Sequence, residues 1–518
     1  MRSFHPYLLA AFVVASLYAA NFRATPPGDV LLPLLVLVAS AGVAVWALGW
    51  IYRTRPRGAI AASWLIGLCF SYFYLCTIVE SVCASLDSDF GSIRHRYTQG
   101  AWFLVTSIGL VWIHRAGFDV RKATRRLNYA AAMLLCASLL TVAFDLARGC
   151  FETATTDRNV ETPPAAEIAL RRPARPRDVY YLVFDRYADN QTLREEFGHD
   201  NGEFCDRLRQ RGFYVPAESR ANYPKTEIAM SCALNMQYHG DVVLDYGQYA
   251  RQLQDHRVCT MLKQQGYKFY QLGNWCDFLR SNRNADFSDS FTLAPSEFAQ
   301  ALYRCTPLSA WWPIRQTRGQ VLRKIETLKG IASEAGSKFV YAHFLLPHPP
   351  YIFHRDGSGV STLGRMGQDK HESYINQLIF TNDRILEIVD AILAASEVAP
   401  IIVIQADEGP YLSAADKQKS PPAWMRKRTG IFSAFYLPGV DAAETVPPTI
   451  SPVNTFRLIF KEYFDADLDL LADRVYYWEN PTADGVGTSS LKEGTRLVEV
   501  TEEVRGNAAL AGRATVVR

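Results

Sequence analysis

Long apolar runs crowd the first part of this chain. Five stretches before residue 150 are mostly apolar: residues 7–22, 30–52, 59–79, 101–113 with its flanks, and 127–146. A helix needs roughly 20 mostly apolar residues to cross a bilayer, so the pattern predicts five membrane-spanning helices. After residue 178 the rhythm changes. Short apolar runs at 179–184, 269–272, 339–345 and 401–404 alternate with helix-like stretches at 203–211, 252–265 and 373–396. Runs that are apolar on both faces suit strands buried in a largely parallel sheet, and alternation with helices predicts an α/β domain. Between the two parts lies an extended, polar linker that contains Pro163-Pro164 and the run from Arg171 to Arg177. The expected organisation is a five-helix transmembrane domain at 1–147, a linker at 148–177, an α/β domain at 178–480 and a tail at 481–518.

Loop charges support spanning helices over the alternative of buried core helices in a water-soluble fold. The loop after the second stretch carries Arg53, Arg55 and Arg57. The loop after the fourth carries Arg115, Arg121, Lys122, Arg125 and Arg126, opposed by Asp119 alone. The first and third loops have no such excess: Arg23 faces Asp29, and Glu80, Asp87 and Asp89 face Arg94 and Arg96. Lys/Arg excess marks the cytoplasmic side. The N-terminus with Arg2 and the second and fourth loops therefore face the cytoplasm. An odd number of spans places everything after residue 147 outside the cytoplasmic membrane. In a rival reading the first stretch, ending near Tyr18-Ala19-Ala20, is a cleaved signal peptide. That leaves four spans and the same location for the large domain.

Composition narrows the field. The chain has 518 residues, with Lys+Arg 55 against Asp+Glu 52 and a formal charge of +3. Hydrophobic residues make up 49%, too many for a disordered chain. The balanced charge leaves no basic excess for neutralising nucleic-acid phosphates. Cys205, Cys232, Cys259, Cys276 and Cys305 all follow residue 147. An oxidising compartment permits disulfides there, and at least one is expected among these five. The absence of a CxxC pair argues against a thiolate zinc site.

Polar residues gather at the predicted strand ends: Asp185, His348, Asp407 and Glu408. Ligands in such sheets bind beyond the carboxyl ends of the strands. A single Asp after a strand is ordinarily a turn or cap residue. Several strand ends delivering carboxylates and an imidazole together suit a divalent cation. Thr226 follows Pro224-Lys225 and opens an apolar helical run. Its hydroxyl would sit at the positive end of a helix dipole, where a metal could activate it for attack at phosphorus. Spacing alone favours the simpler role of N-cap.

Several ordered motifs shift that balance. Val183-Phe184-Asp185-Arg186-Tyr187-Ala188, Phe197-Gly198-His199-Asp200-Asn201 and Ser219-Arg220-Ala221-Asn222-Tyr223-Pro224-Lys225-Thr226 resemble the sulfatase-like branch of the alkaline phosphatase superfamily. So do His343-Phe344-Leu345-Leu346-Pro347-His348-Pro349-Pro350-Tyr351, the Asp407-Glu408-Gly409-Pro410 turn, and Ser451-Pro452-Val453-Asn454-Thr455-Phe456-Arg457. The resemblance covers about residues 178–478. Five spans before such a domain resemble lipoteichoic acid synthases and lipid A phosphoethanolamine transferases. Those families move a phospho-head group from a phospholipid to an acceptor outside the membrane through a metal-bound Thr.

The resemblance implies site roles. Asp185 matches an acidic metal ligand, Thr226 the nucleophile and a further ligand, and Asp407 the first member of a late Asp-His ligand pair. Glu408 stands where many members have His. An all-oxygen set of Asp185, Thr226, Asp407 and Glu408 shifts preference from zinc toward manganese, magnesium or calcium. His348 matches a substrate-contacting His loosely, and Lys225 and His343 are expected substrate contacts. The implied activity is metal-dependent phospho-head-group transfer or hydrolysis, with a phospholipid donor and an envelope glycan or lipid acceptor. Two alternatives stand beside it. A sulfatase would carry Cys or Ser in a Cys/Ser-x-Pro-x-Arg context, whereas Thr226 is followed by Glu227-Ile228-Ala229-Met230. A catalytically silent binding protein of the same fold is the reading that Glu408 favours.

Overall fold

The computed structural model describes residues 2–22, 25–85, 94–156, 168–244, 246–274, 278–289, 296–308, 314–361, 369–412, 421–479 and 496–505. Arg23, Asp87, Asp89, Pro163-Pro164, Cys276 and most of the tail lie outside these residues, as do the side chains of Cys83 and Cys150. The chain divides into two compact units: Met1–Pro164 with Pro295–Trp312, and Ala165–Ala294 with Pro313–Arg518.

The first unit is helical: α1 (His5–Ala20), α2 (Gly28–Ile51), α3 (Arg55–Ser85), α4 (Arg94–Arg115) and α5 (Val120–Thr156). Small residues let these helices approach, with Ala10 of α1 packed among Ala41 of α2 and Ile66 of α3. The open end of α1 is closed by α5. Asn128 Oδ1 accepts from the backbone N–H groups of Phe4 (3.0 Å) and His5 (2.9 Å), satisfying donors that a helix start leaves unpaired. Among the described residues, three helices are long and apolar enough to cross a membrane: Gly28–Ile51, Arg55–Cys76 and Val120–Ala147. Their outward faces carry large apolar side chains, among them Leu32, Trp46 and Trp50 of α2 and Met133, Leu140 and Phe144 of α5. Water would penalise a contiguous apolar surface of this kind, and lipid would cover it. The unit is a membrane-embedded bundle.

The helix Glu297–Arg304, far along the chain, also belongs to this unit. Ser296 Oγ caps it by accepting from Ala299 N at 3.2 Å. Phe298 and Leu302, one turn apart, pack against Val14, Leu17 and Tyr18 of α1 and Val30 and Leu34 of α2.

The second unit is built on a six-stranded sheet in the order β3-β2-β4-β1-β5-β6. The strands are β1 (Val179–Phe184), β2 (Lys268–Leu272), β3 (Phe287–Ser288), β4 (Lys338–Phe344), β5 (Ile401–Gln405) and β6 (Ser433–Tyr436). All neighbours run parallel except β6. Every residue of β1, β4 and β5 is buried, as continuous apolar runs demand. Alternate side chains feed two cores. Tyr181, Val183 and Val403 join the core built with the helices Thr226–Asn235 and Pro452–Phe464. Tyr180, Leu182, Phe184 and Ile404 join the core built with the helix Lys370–Ala395. This is the expected α/β architecture, and it aligns the carboxyl ends of β4, β1 and β5 side by side. Cys205, Cys232, Cys259 and Cys305 carry free thiols, so no disulfide links these four.

Candidate active site

Asp185 follows β1 directly and stays in register, its N–H donating to Phe344 O of β4 at 2.9 Å. The next residue, Arg186, takes a left-handed backbone with φ 62°, costly for a residue with a Cβ. Tyr374 holds that turn from the helix Lys370–Ala395: its hydroxyl donates to Arg186 O at 2.9 Å and accepts from Ala188 N at 3.1 Å. Asp407 and Glu408 follow β5 in the same way, with Glu408 N donating to Asp407 Oδ1 at 2.9 Å. Gly409 then lets the chain pass close to its neighbour, since a Cβ there would meet the Arg428 carbonyl oxygen at 2.3 Å.

Thr226 is the first residue of the buried helix Thr226–Asn235, whose N-cap is Lys225 in extended conformation. The helix has no side-chain cap; the threonine hydroxyl lies beside the Asp407 carboxylate and favours its charged form. Asn222 anchors the approach to it. Its amide donates to Ser451 Oγ and Arg474 O, both at 2.9 Å, and its oxygen accepts from Val453 N at 2.9 Å.

Asp185, Thr226, Asp407 and His343 thus form one cluster around the Asp407 carboxylate. Asn274 Nδ2 donates to His343 Nδ1. The ring proton is then on Nε2, which faces Asp407 Oδ2 at 3.4 Å. Burial, reinforced by the charges of Asp407 and Glu408, pushes the Asp185 carboxyl well above its usual range. Asp407 stands next to it. Burial also works against charge on Asp407, but His343 and Thr226 beside it, with the charge of Arg186, outweigh that and hold Asp407 at about 2. Two buried carboxylates placed together make a second negative charge costly.

Glu408 turns the other way. Its Oε1 lies 2.7 Å from Arg186 Nη2, and its Oε2 lies 3.7 Å from Arg428 Nη2. Burial pushes its carboxyl up to about 7, against the pull of both arginines and of Lys225. Lys225 is a third exposed and sits 4.0 Å from Glu227 Oε1. His348 donates from Nδ1 to Pro349 O, and burial followed by the Arg186 charge lowers its pKa to about 3. Its neutral ring packs edge-on to Tyr411.

All seven side chains expected from sequence thus lie around one region at the carboxyl edge of the sheet. Arg186, Arg428, Tyr374, Tyr411 and Asn274 join them without having been assigned roles. For Arg186 a signal existed, since it adjoins Asp185. Arg428 comes from a separate helix, Pro421–Thr429, with no motif around it.

Fit to a divalent cation was tested on the orphaned atoms. Asp185 Oδ1 is buried without a hydrogen-bond partner. Beside it stand a second carboxylate and a hydroxyl, with a proton that a cation would displace. These three oxygen donors suit a hard cation. Among the described residues, no group of three or more His, Cys, Asp and Glu side chains is gathered for a metal ion, and Glu408 faces the arginines instead.

No family model matches the chain, and no curated protein sequence matches it. Among solved structures, the chain is similar to the C-terminal periplasmic domain of EptC from Escherichia coli in complex with zinc. The identity is 13% and the TM-score 0.44, covering 64% of this chain and 96% of that one. It is also similar to the integral membrane lipooligosaccharide phosphoethanolamine transferase A of Neisseria meningitidis, at 13% identity and TM-score 0.40, covering 89% and 95%. A Bacteroides thetaiotaomicron structure described under the metabolism of multiple glycosaminoglycans is also similar, at 13% identity and TM-score 0.36, covering 63% and 85%. Superpositions this loose carry no argument about the site, which rests on the chain's own strand order and hydrogen bonds.

Proposed function

We propose that this chain is a membrane-bound, metal-dependent phospho-head-group transferase or hydrolase with Thr226 as its nucleophile. The observation that carries this reading is the position of Thr226. Its hydroxyl stands at a helix N-terminus, off the capping role, beside the Asp407 carboxylate, which also meets His343 and neighbours Asp185. Asp185, Asp407 and Thr226 would hold a divalent cation of the manganese, magnesium, calcium or zinc class. When bound, the cation lowers the pKa of the hydroxyl and neutralises the paired carboxylates.

The chain's own groups do the rest. Asp407 stands beside Thr226 Oγ1, where it can accept the hydroxyl proton. The first-turn N–H groups and Lys225 face an incoming anionic phosphoryl group. The Oγ1–P bond forms as Thr226 gives up its hydroxyl proton and the bond from phosphorus to the lipid alcohol breaks; the departing alkoxide takes up that proton. An acceptor hydroxyl or amine, or water, then attacks phosphorus and restores the threonine hydroxyl. The donor is a phospholipid and the acceptor an envelope glycan or lipid. With five spans the site lies outside the cytoplasmic membrane, and tethering to the bundle raises the effective concentration of lipid donors.

Mass spectrometry of the protein isolated from membranes tests this. A phospho-adduct on Thr226 is expected, and its mass names the transferred group. Thr226→Ala should abolish adduct and turnover while leaving the fold intact. Full transfer activity in Thr226→Ala would overturn the proposal.

A further inference from the structure

The surroundings of Glu408 carry more positive charge than one carboxylate needs. Arg186 and Arg428 both face it, and Lys225 lies within electrostatic reach. The two guanidinium groups converge on the same turn, Arg186 Nη1 donating to Gly409 O at 3.3 Å and Arg428 Nη1 to the same oxygen at 2.6 Å. Tyr411 fixes the plane of Arg186, whose guanidinium carbon lies 3.3 Å from the ring centroid. Tyr411 is itself 46% exposed, so this corner of the site reaches the surface.

Neither side of the cluster is saturated. The Arg186 side chain is more than nine-tenths buried, yet its Nε has no hydrogen-bond partner. Glu408 Oε2 also lacks one, being only within ion-pair distance of Arg428. A buried donor left unpaired costs free energy unless a ligand supplies the acceptor. The left-handed turn that aims Arg186 inward is a second cost that the fold sustains at this place.

The geometry points to an oxyanion pocket formed by Arg186, Arg428 and Lys225, in which Glu408 is the resident counter-ion that a phosphate group displaces, and not a metal ligand. This inference rests on the proposed phosphoryl chemistry, because the ligand class is the tetrahedral oxyanion of a phosphate ester. Arginine pairs recognise such oxygens by parallel N–H donors. Displaced from Arg186, Glu408 turns toward the solvent-facing side at Tyr411, and the phosphoryl oxygens complete the donor set, the unpaired Nε included. The pocket adjoins Thr226 through Lys225, so an oxyanion held there is presented to the nucleophile. The metal set then has three protein oxygens, from Asp185, Asp407 and Thr226.

The test is equilibrium binding to the full-length protein in detergent micelles, with metal content measured on the same samples. Inorganic phosphate and the soluble diester dihexanoyl phosphatidylethanolamine are titrated separately. Glu408→Gln removes the competing anion and should tighten phosphate binding by about tenfold, the scale of one charge-assisted hydrogen bond, with metal content unchanged. Tightening confined to phosphate assigns the pocket to the free dianion, and tightening of the diester assigns it to a lipid head group. Both outcomes support the pocket. Weaker or unchanged binding of both probes overturns it, as does loss of metal from Glu408→Gln. If Glu408→Gln fails to fold, the double variant Arg186→Gln with Glu408→Gln removes both charges together. It must then bind phosphate more weakly than the unmodified protein, and equal or tighter binding overturns the inference. None of these readouts needs turnover, so a failure here is distinct from absence of the Thr226 adduct.

Discussion

Removing one oxygen atom from Tyr374 should disturb the site without touching any group proposed to react. Tyr374 is 2% exposed, and its hydroxyl alone bridges Arg186 O and Ala188 N. In Tyr374→Phe the ring still stacks on Phe197, whose centroid lies 4.4 Å away. One buried carbonyl and one buried N–H lose their partner. At about 1–3 kcal/mol per unsatisfied group, and with some relaxation, the loss should be about 3 kcal/mol. For a unit of this size each kcal/mol moves the midpoint by roughly 2 °C, so the melting temperature should fall by about 6 °C. The left-handed turn at Arg186 loses its clamp as well, so phosphate affinity should weaken together with stability. The assay is a thermal scan at fixed rate on the detergent-solubilised protein, paired with a phosphate titration. A variant with unchanged melting temperature and unchanged phosphate affinity would refute the claim that Tyr374 holds Arg186 in place.

Two further outcomes follow from local geometry. His256 caps the helix Arg257–Gln264 by accepting from Cys259 N at 3.1 Å, and burial lowers its pKa to about 3. The folded state therefore binds its proton less readily than the unfolded state. Its stabilising contribution is present above pH 6.5 and is lost as pH falls toward 3. Between pH 6.5 and 5 the loss should be about 2 kcal/mol, read as a falling melting temperature that His256→Asn makes flatter. Gly409→Ala should cost about 1–3 kcal/mol by overpacking against the Arg428 carbonyl and should weaken phosphate binding, because that carbonyl backs the oxyanion pocket; a melting temperature equal to that of the unmodified protein would count against the close approach.

The sheet was legible because parallel strands buried on both faces leave uninterrupted apolar runs, and β1, β4 and β5 are such runs. Their adjacency brings Asp185, His343 and Asp407 together although the positions span 222 residues of chain. Thr226 was half legible. Spacing suggested a cap, and only the third dimension shows that Lys225 holds the cap position and that the threonine oxygen is directed to Asp407. The helix Glu297–Arg304 was not legible as part of the membrane unit. An eight-residue amphipathic helix shows that it has an apolar face, and its pattern does not say which surface that face will meet. The cysteines misled for a related reason. Oxidising surroundings permit disulfides, but Cys232 and Cys259 are buried within one apolar core and Cys205 within the other. There they behave as small apolar side chains.

Glu408 is where sequence reasoning reached its limit. A carboxylate in place of an imidazole left two outcomes open: an oxygen ligand or a silent fold. Residue type could not choose among them, because a carboxylate binds a cation of either kind, metal or guanidinium. The choice is made by what stands nearest. Arg186 reaches Glu408 at 2.7 Å only because a left-handed turn, clamped by Tyr374, swings its side chain across the site. Arg428 approaches the other oxygen only because Gly409 leaves no Cβ between the two backbones. Each condition is a backbone property contributed by a different segment, and neither is written in the Asp-Glu-Gly motif itself. The substitution at position 408 is thus coupled to charges at 186 and 428. A Glu408→His protein would set a second weakly basic group against two arginines, and it should lose stability unless Arg186 is replaced as well. A Glu408→His variant as stable as the unmodified protein, with Arg186 retained, would show that the arginines do not require a counter-ion.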